Sequence, residues 1–143
     1  MGDAIRFRQR LCRNDTEATV RSADVGTTDC VIEHLAAFRD WTTDYLVGLW
    51  NTSALLPSHL APAMAQVRLP PLPSGLNKTA ASSRYGSLHP RLLAELGIEV
   101  VLRQGYDSAH PEAWWTRLSC QIFIGHEDVS RFGHAVLRMI NEP

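Results

Sequence analysis

Arg117 is the residue whose type and position most suggest chemistry. It lies in a nearly uncharged run, Trp115–Phe123, whose alternation predicts a strand. Side chains of a strand point alternately to its two faces. Arg117 therefore shares one face with Trp115, Ser119, Gln121 and Phe123. The other face carries Trp114, Thr116, Leu118, Cys120 and Ile122. A guanidinium on a half-buried strand needs an anion, and its planar fork matches a carboxylate. The alternative is an arginine at a strand edge facing water, which the residues alone favour, because charged side chains are mostly exposed.

Cysteine and histidine offer no comparable pattern. Cys12, Cys30 and Cys120 are odd in number and widely spaced, and we expect neither a disulfide framework nor a zinc site from them. Cys120 is predicted to be a small buried hydrophobe of its strand. His126 and His134 are eight residues apart on one predicted helix, too far to chelate one ion. No metal site is therefore expected.

The composition predicts one soluble domain. The chain has 143 residues, 45% of them hydrophobic, and a net charge of −1, which argues against a nucleic-acid partner. No apolar run approaches the roughly 20 residues of a membrane span, and a cytoplasmic location is expected. The basic start of the chain resembles a weak organellar leader, but acidic residues follow soon, and we expect a flexible arm over residues 1–25 and a domain over 26–143.

The secondary-structure elements that must position these residues are predicted from the spacing of apolar residues and from the positions of proline, glycine and helix-capping residues. Apolar residues three and four apart predict a helix from Asp29 to Leu49, which Thr27, Thr28 or Asp29 would cap. The other expected elements are a short helix over 58–64, a strand over 65–69, a loop over 70–83, a helix over 91–96 with Pro90 at its first turn, strands over 98–102 and 114–124, and a last helix after Glu127-Asp128. This order predicts an α+β fold, a small, mostly antiparallel sheet with helices packed on one face.

Two segments resemble a known family. The run from Trp115 to Phe123, the acidic pair after it and the amphipathic last helix are similar to the last strand and helix of class V aminotransferases. These are pyridoxal-phosphate (PLP) enzymes of fold type I. Trp50-Asn51-Thr52, then Leu56-Pro57 and the run from Met64 to Pro70, resemble a segment of the isopenicillin N epimerase-like branch. The resemblance covers residues 26 to 141 and implies the small, C-terminal domain of such an enzyme.

The resemblance implies roles at two positions. Arg117 matches the arginine that binds the substrate α-carboxylate. Gly26-Thr27 resembles the turn that reaches the PLP phosphate of a neighbouring subunit, although a plain helix cap is the alternative for Thr27. The family also needs a Schiff-base lysine, but Lys78, the single lysine, is expected in a Ser/Pro-rich loop unlike the family's lysine site. No catalytic residue is therefore assigned, and we expect this chain alone not to bind PLP.

Three functions remain open. The first is a domain or fragment of a PLP-dependent epimerase, lyase or desulfurase that acts on an amino acid, inactive alone and, as in the family, part of a homodimer. The second is a non-catalytic binding or assembly module that retains the small-domain fold. The third, a nucleic-acid binder using the arginine-rich N-terminus, is disfavoured by the balanced charge.

Overall fold

Three α-helices and a three-stranded sheet make up the part of the chain that the structure describes. The computed structural model describes residues 25–61, 63–74 and 77–142. Its elements, in chain order, are α1 (Val25–Trp50), a 3-10 turn (Ser58–Leu60), β1 (Met64–Arg68), α2 (Lys78–Leu96), β2 (Val101–Gln104), β3 (Trp114–Ser119) and α3 (His126–Asn141). The strand order is β1-β3-β2, with both pairings antiparallel. The predicted α+β class is confirmed. No helix within the described ranges is long and apolar enough to cross a membrane.

Helix α1 begins at Val25 and therefore earlier than predicted. Thr27, Thr28 and Asp29 lie inside the helix, so the expectation that one of them caps it is wrong. Except for Val25, the arm expected over residues 1–25 lies outside the described residues. The helix ends where Asn51 adopts a φ of 52°, a left-handed conformation that asparagine tolerates better than most residues.

Helix α2 differs from the prediction in its start and in the position of its proline. Residues 78–83 are helical although a loop was predicted over 70–83, and Pro90 lies inside the helix although it was expected at a helix start. The Asn77 side chain accepts a hydrogen bond from the Ala80 N–H at 2.8 Å and caps the start of the helix at Lys78. Pro90 has no N–H to donate to the Gly86 carbonyl. Both residues are exposed, so water can replace the missing bond.

The sheet has one face toward the helices. Ala65 and Val67 of β1 belong to the hydrophobic core, and Leu102, Trp114 and Leu118 pack against it. Thr116, at the centre of this face, is fully buried. The strands are displaced from their predicted ranges: β2 begins at Val101 and β3 ends at Ser119, so the strand expected to continue to Ile124 gives way to a turn. The alternation predicted for β3 holds over its actual length.

Helix α3 closes the core. The Asp128 carboxylate accepts a hydrogen bond from the Gly125 N–H at 2.9 Å, which anchors the helix start. Phe132 is 2% exposed and lies in the core, whereas Leu137 is only partly buried at the core margin. The other buried residues of α3 are Val129, Gly133, Ala135, Val136, Met139 and Ile140.

Candidate carboxylate-binding face

Arg117 lies at the middle of the central strand, on the sheet face opposite the helices. Its register partners are Gln66 of β1 and Val101 of β2. The Arg117 side chain is half-buried, and no described residue forms a hydrogen bond or ion pair with it. A guanidinium held in this way keeps its five N–H donors available. The geometry is that of an anion site on a rigid strand.

Trp115 shows that this face is not simply a water-exposed surface. It precedes Arg117 by two residues and shares its face, and at 2% exposed it is a buried hydrophobic residue outside the main core cluster. Its indole Nε1–H is buried and has no hydrogen-bond partner. Buried apolar surface beside a charged group lowers the local dielectric and strengthens the attraction between Arg117 and an anion.

A cleft of about 470 Å³ opens beside Arg117. It forms because Val101–Arg117 is the last residue pair between β2 and β3, so residues 97–100 diverge from the end of β3. Its lining is largely apolar and includes Phe38, Val100, Leu118, Cys120, Ile124 and Phe132, with the acidic residues Glu99 and Asp128 also contributing. The cleft has the size of a small-ligand pocket, and Arg117 is one of the residues that line it.

Cys120 in this cleft is not a nucleophile. It is a free, buried cysteine, as predicted, and burial raises the pKa of its thiol. The neutral thiol is a poor nucleophile. By contrast, Cys30 takes part in a disulfide bond, so the expectation that the cysteines form no disulfide framework does not hold for this residue.

Lys78 lies at the opposite end of the sheet and does not have the surroundings that PLP requires. It is the exposed first residue of α2 rather than part of a loop. It lines a pocket with Glu112 and the aromatic residues Tyr85 and Trp114. Those two rings stack on each other with centroids 5.6 Å apart, and the Tyr85 hydroxyl donates to the Pro70 carbonyl. A Schiff-base lysine is normally desolvated and faces an aromatic ring free to cover the cofactor, so these residues do not fit PLP.

The other expected site residue, Thr27, lies in the first turn of α1, and its side chain is outside what the structure describes. Its proposed contact with a PLP phosphate stays a prediction. Within the described residues, no group of three or more histidine, cysteine, aspartate or glutamate side chains is arranged to hold a metal ion.

Sequence reasoning missed two residues of the Arg117 face. Arg68 and Arg103 are both register partners of Trp115, one from each flanking strand. Each is the single charged residue of its strand, which is the same signal that singled out Arg117. Their shared face depends on the pairing register, which the sequence does not reveal.

No model of a known protein family matches the sequence, and no characterised protein matches it either. The resemblance to class V aminotransferases therefore rests on the motifs and on the physical arguments given above.

Proposed function

We propose that this chain is the small domain of a PLP-dependent enzyme of the class V aminotransferase type, from the isopenicillin N epimerase-like branch, and that it binds the α-carboxylate of an amino-acid substrate through Arg117. The observation that carries the proposal is the half-buried guanidinium on the central strand, which pairs with no described residue. The α+β architecture, with helices on one sheet face and Arg117 on the other, supports it.

The chemistry assigned to this chain is binding and orientation. A bidentate guanidinium–carboxylate pair fixes both the position and the plane of the carboxylate, and a strand within a sheet holds the donor more firmly than a loop would. PLP, when bound to such an enzyme, stabilises the carbanion formed next to the amino group. Since Lys78 does not fit that cofactor, the lysine and PLP would come from another domain, and the reaction would be epimerase, lyase or desulfurase chemistry.

A non-catalytic binding module is the second candidate. The exposure of Lys78 and the mutual stacking of Tyr85 and Trp114 favour it, because these surroundings do not fit a lysine-bound PLP. In such a module Arg117 would hold a carboxylate without any reaction. A lysine-bearing PLP domain encoded in frame beside this domain would favour the enzyme, and the lack of one would favour the module.

The test is Arg117→Lys in the purified chain. Binding of L-alanine, followed by NMR titration, should weaken by about tenfold or more, because an ammonium group cannot reproduce the two parallel hydrogen bonds. The free energy of unfolding should change by less than about 0.5 kcal/mol, because a partly exposed side chain without a partner contributes little to stability.

Arg131→Lys is the matched control. Arg131 is exposed on α3, outside the sheet, and its guanidinium donates to the Leu96 carbonyl. Arg131→Lys should leave the binding of L-alanine unchanged. Equal binding by the wild-type chain and Arg117→Lys would remove Arg117 as the carboxylate site and with it the proposed function.

A further inference from the structure

Arginines without partners are concentrated on one surface of the described structure. The described residues include eight arginines, of which Arg39, Arg84, Arg91, Arg131 and Arg138 donate hydrogen bonds to carboxylates or backbone carbonyls. The remaining three, Arg68, Arg103 and Arg117, have no hydrogen bond or ion pair. All three lie on the sheet face opposite the helices.

The strand register brings these three residues close together. Arg68 and Arg103 flank Trp115 in one row across the sheet, and Arg117 is two residues further along the central strand. From strand spacing and rise, the Cβ atoms of Arg68 and Arg103 are about 10 Å apart, and that of Arg117 is about 8 Å from each. Arginine side chains are long enough to converge over such a triangle, so one ligand can contact all three.

The strands contribute no acidic residue to this face. The other strand residues that share it are Met64, Gln66, Val101 and Ser119. Asp107, in the loop after β2, pairs with the His110 ring at 2.7 Å and accepts from the Ala109 N–H. The His110 ring and, more weakly, the charge of Arg68 lower the pKa of Asp107. Three neighbouring cations outnumber this one acidic residue and repel one another. A ligand that supplies negative charge relieves this repulsion.

We propose that the Arg68–Arg103–Arg117 face binds a small ligand with two anionic groups, one on Arg117 and the second on Arg68 and Arg103. For the Arg117 contact the inference rests on the proposed function. It goes further by naming the substrate class: amino acids whose side chain carries a carboxylate or a phosphate. Arg68 and Arg103 act as specificity-determining residues, because each adds a charge-assisted hydrogen bond that a neutral side chain cannot accept.

The test compares ligands that differ only in the second charge. L-Glutamate, O-phospho-L-serine, L-glutamine and L-alanine are titrated into the isotope-labelled chain, with the Trp115 indole N–H signal, identified through Trp115→Phe, as the reporter. The two dianionic amino acids should bind at least about tenfold more tightly than glutamine or alanine. Whichever of L-glutamate and O-phospho-L-serine binds more tightly indicates whether the second group is a carboxylate or a phosphate.

Substitution separates this inference from the proposed function. Arg68→Gln and Arg103→Gln should each reduce the preference for glutamate over glutamine several-fold while leaving alanine binding unchanged, and Arg117→Lys should weaken all four ligands. Arg131→Gln, on α3, is the matched control. It should change neither the preference for glutamate over glutamine nor the binding of alanine.

The outcomes are distinguishable. An unchanged glutamate-to-glutamine ratio in both Arg68→Gln and Arg103→Gln overturns the dianion site even if Arg117→Lys still weakens alanine binding. Binding of an oligonucleotide through the same three arginines, more tightly than any amino acid, also overturns it. Absence of any response to glutamate up to its solubility limit counts against the dianion site and the proposed function together.

Discussion

Phe132 joins the last helix to the first. Its ring meets the Trp50 ring edge-to-face with centroids 5.7 Å apart, and it also lines the cleft beside Arg117. The Trp50 indole N–H donates to the Gly133 carbonyl at 3.1 Å, so the aromatic pair is held by a hydrogen bond as well as by packing. Because Phe132 supports both the core and the cleft, its contribution to stability should be large.

Phe132→Ala should lower the free energy of unfolding by about 2–5 kcal/mol, because it leaves a cavity in a close-packed core. Leu137→Ala, at the margin of the same helix, should lower it by about 1 kcal/mol, since Leu137 is only partly buried. Denaturant melts measure both changes. Equal losses would show that Leu137 is as much a part of the core as Phe132.

Helices α1 and α3 approach most closely at Gly133. A Cβ atom added there would lie 2.7 Å from Leu49 Cδ2 and 3.0 Å from Leu46 Cδ2. Leu46 is fully buried, so its side chain has little room to move. The absence of a side chain at Gly133 therefore allows α3 to pack on α1 at this distance.

Gly133→Ala should destabilise the chain by about 1–3 kcal/mol, the usual effect of overpacking a core. Gly86→Ala is the matched control. Gly86 is exposed in α2, and a Cβ atom there would meet nothing within 4 Å, so this change should stabilise the chain by about 0.5–1 kcal/mol through helix propensity. Thermal melts of the two variants should shift in opposite directions. A shift in the same direction would contradict the close approach at Gly133.

The ends of α2 and α3 are joined by ion pairs. Glu95 accepts from Arg91 within α2 at 3.1 Å and from Arg138 of α3 at 3.1 Å, and Arg91 also pairs with Glu142. The hydrogen bond from Arg91, with help from Arg138, holds the pKa of Glu95 below its ordinary value. Charges that attract one another in this way favour the folded state only while Glu95 is ionised.

Glu95→Gln should therefore change the acid dependence of stability. Since the folded-state pKa of Glu95 lies below its unfolded value of 4.5, its stabilising effect is complete above that value and is lost as the pH falls through the lowered pKa. Urea melts should show a difference in the free energy of unfolding between wild type and Glu95→Gln near neutral pH, and this difference should disappear in acid. Glu33→Gln, exposed on α1, is the control. A gap that is independent of pH would contradict the ion-pair explanation.

The whole molecule consists of a sheet with two unlike faces. Helix α1 packs against β1 and α2 against β2 on the face of Ala65, Val67 and Thr116, and α3 packs on both helices, while the opposite face carries Arg68, Arg103 and Arg117. The single lysine, Lys78, lies at the start of α2, in a pocket that it shares with Arg68 but not with Arg117.

The purified chain incubated with PLP should develop no visible absorption band of a specific lysine-bound cofactor, because Lys78 is exposed and the two aromatic rings of its pocket stack on each other. The spectrum of the wild-type chain should match that of Lys78→Ala after removal of free PLP by gel filtration. A retained band that disappears in Lys78→Ala would overturn this prediction and would favour a complete PLP site in this chain.

Local patterns determined much of this fold from the sequence alone. The alternation around Arg117 predicted the two faces of β3, and the three- and four-residue spacing of apolar residues predicted α1 and α3, because side-chain direction in strands and helices follows a fixed period. Together they were enough for the α+β class and for selecting Arg117 as a candidate.

Tertiary structure decided what these patterns could not. Helix α2 begins at Lys78 in a Ser- and Gly-rich segment of weak propensity, where burial of Leu88 and Leu92 against the core outweighs local preference. The register of β1 and β2 on β3 placed Arg68 and Arg103 beside Trp115. A one-residue slip of either strand would move its arginine to the opposite face. The shared face of these arginines therefore depends on long-range pairing, which no single segment of the sequence contains.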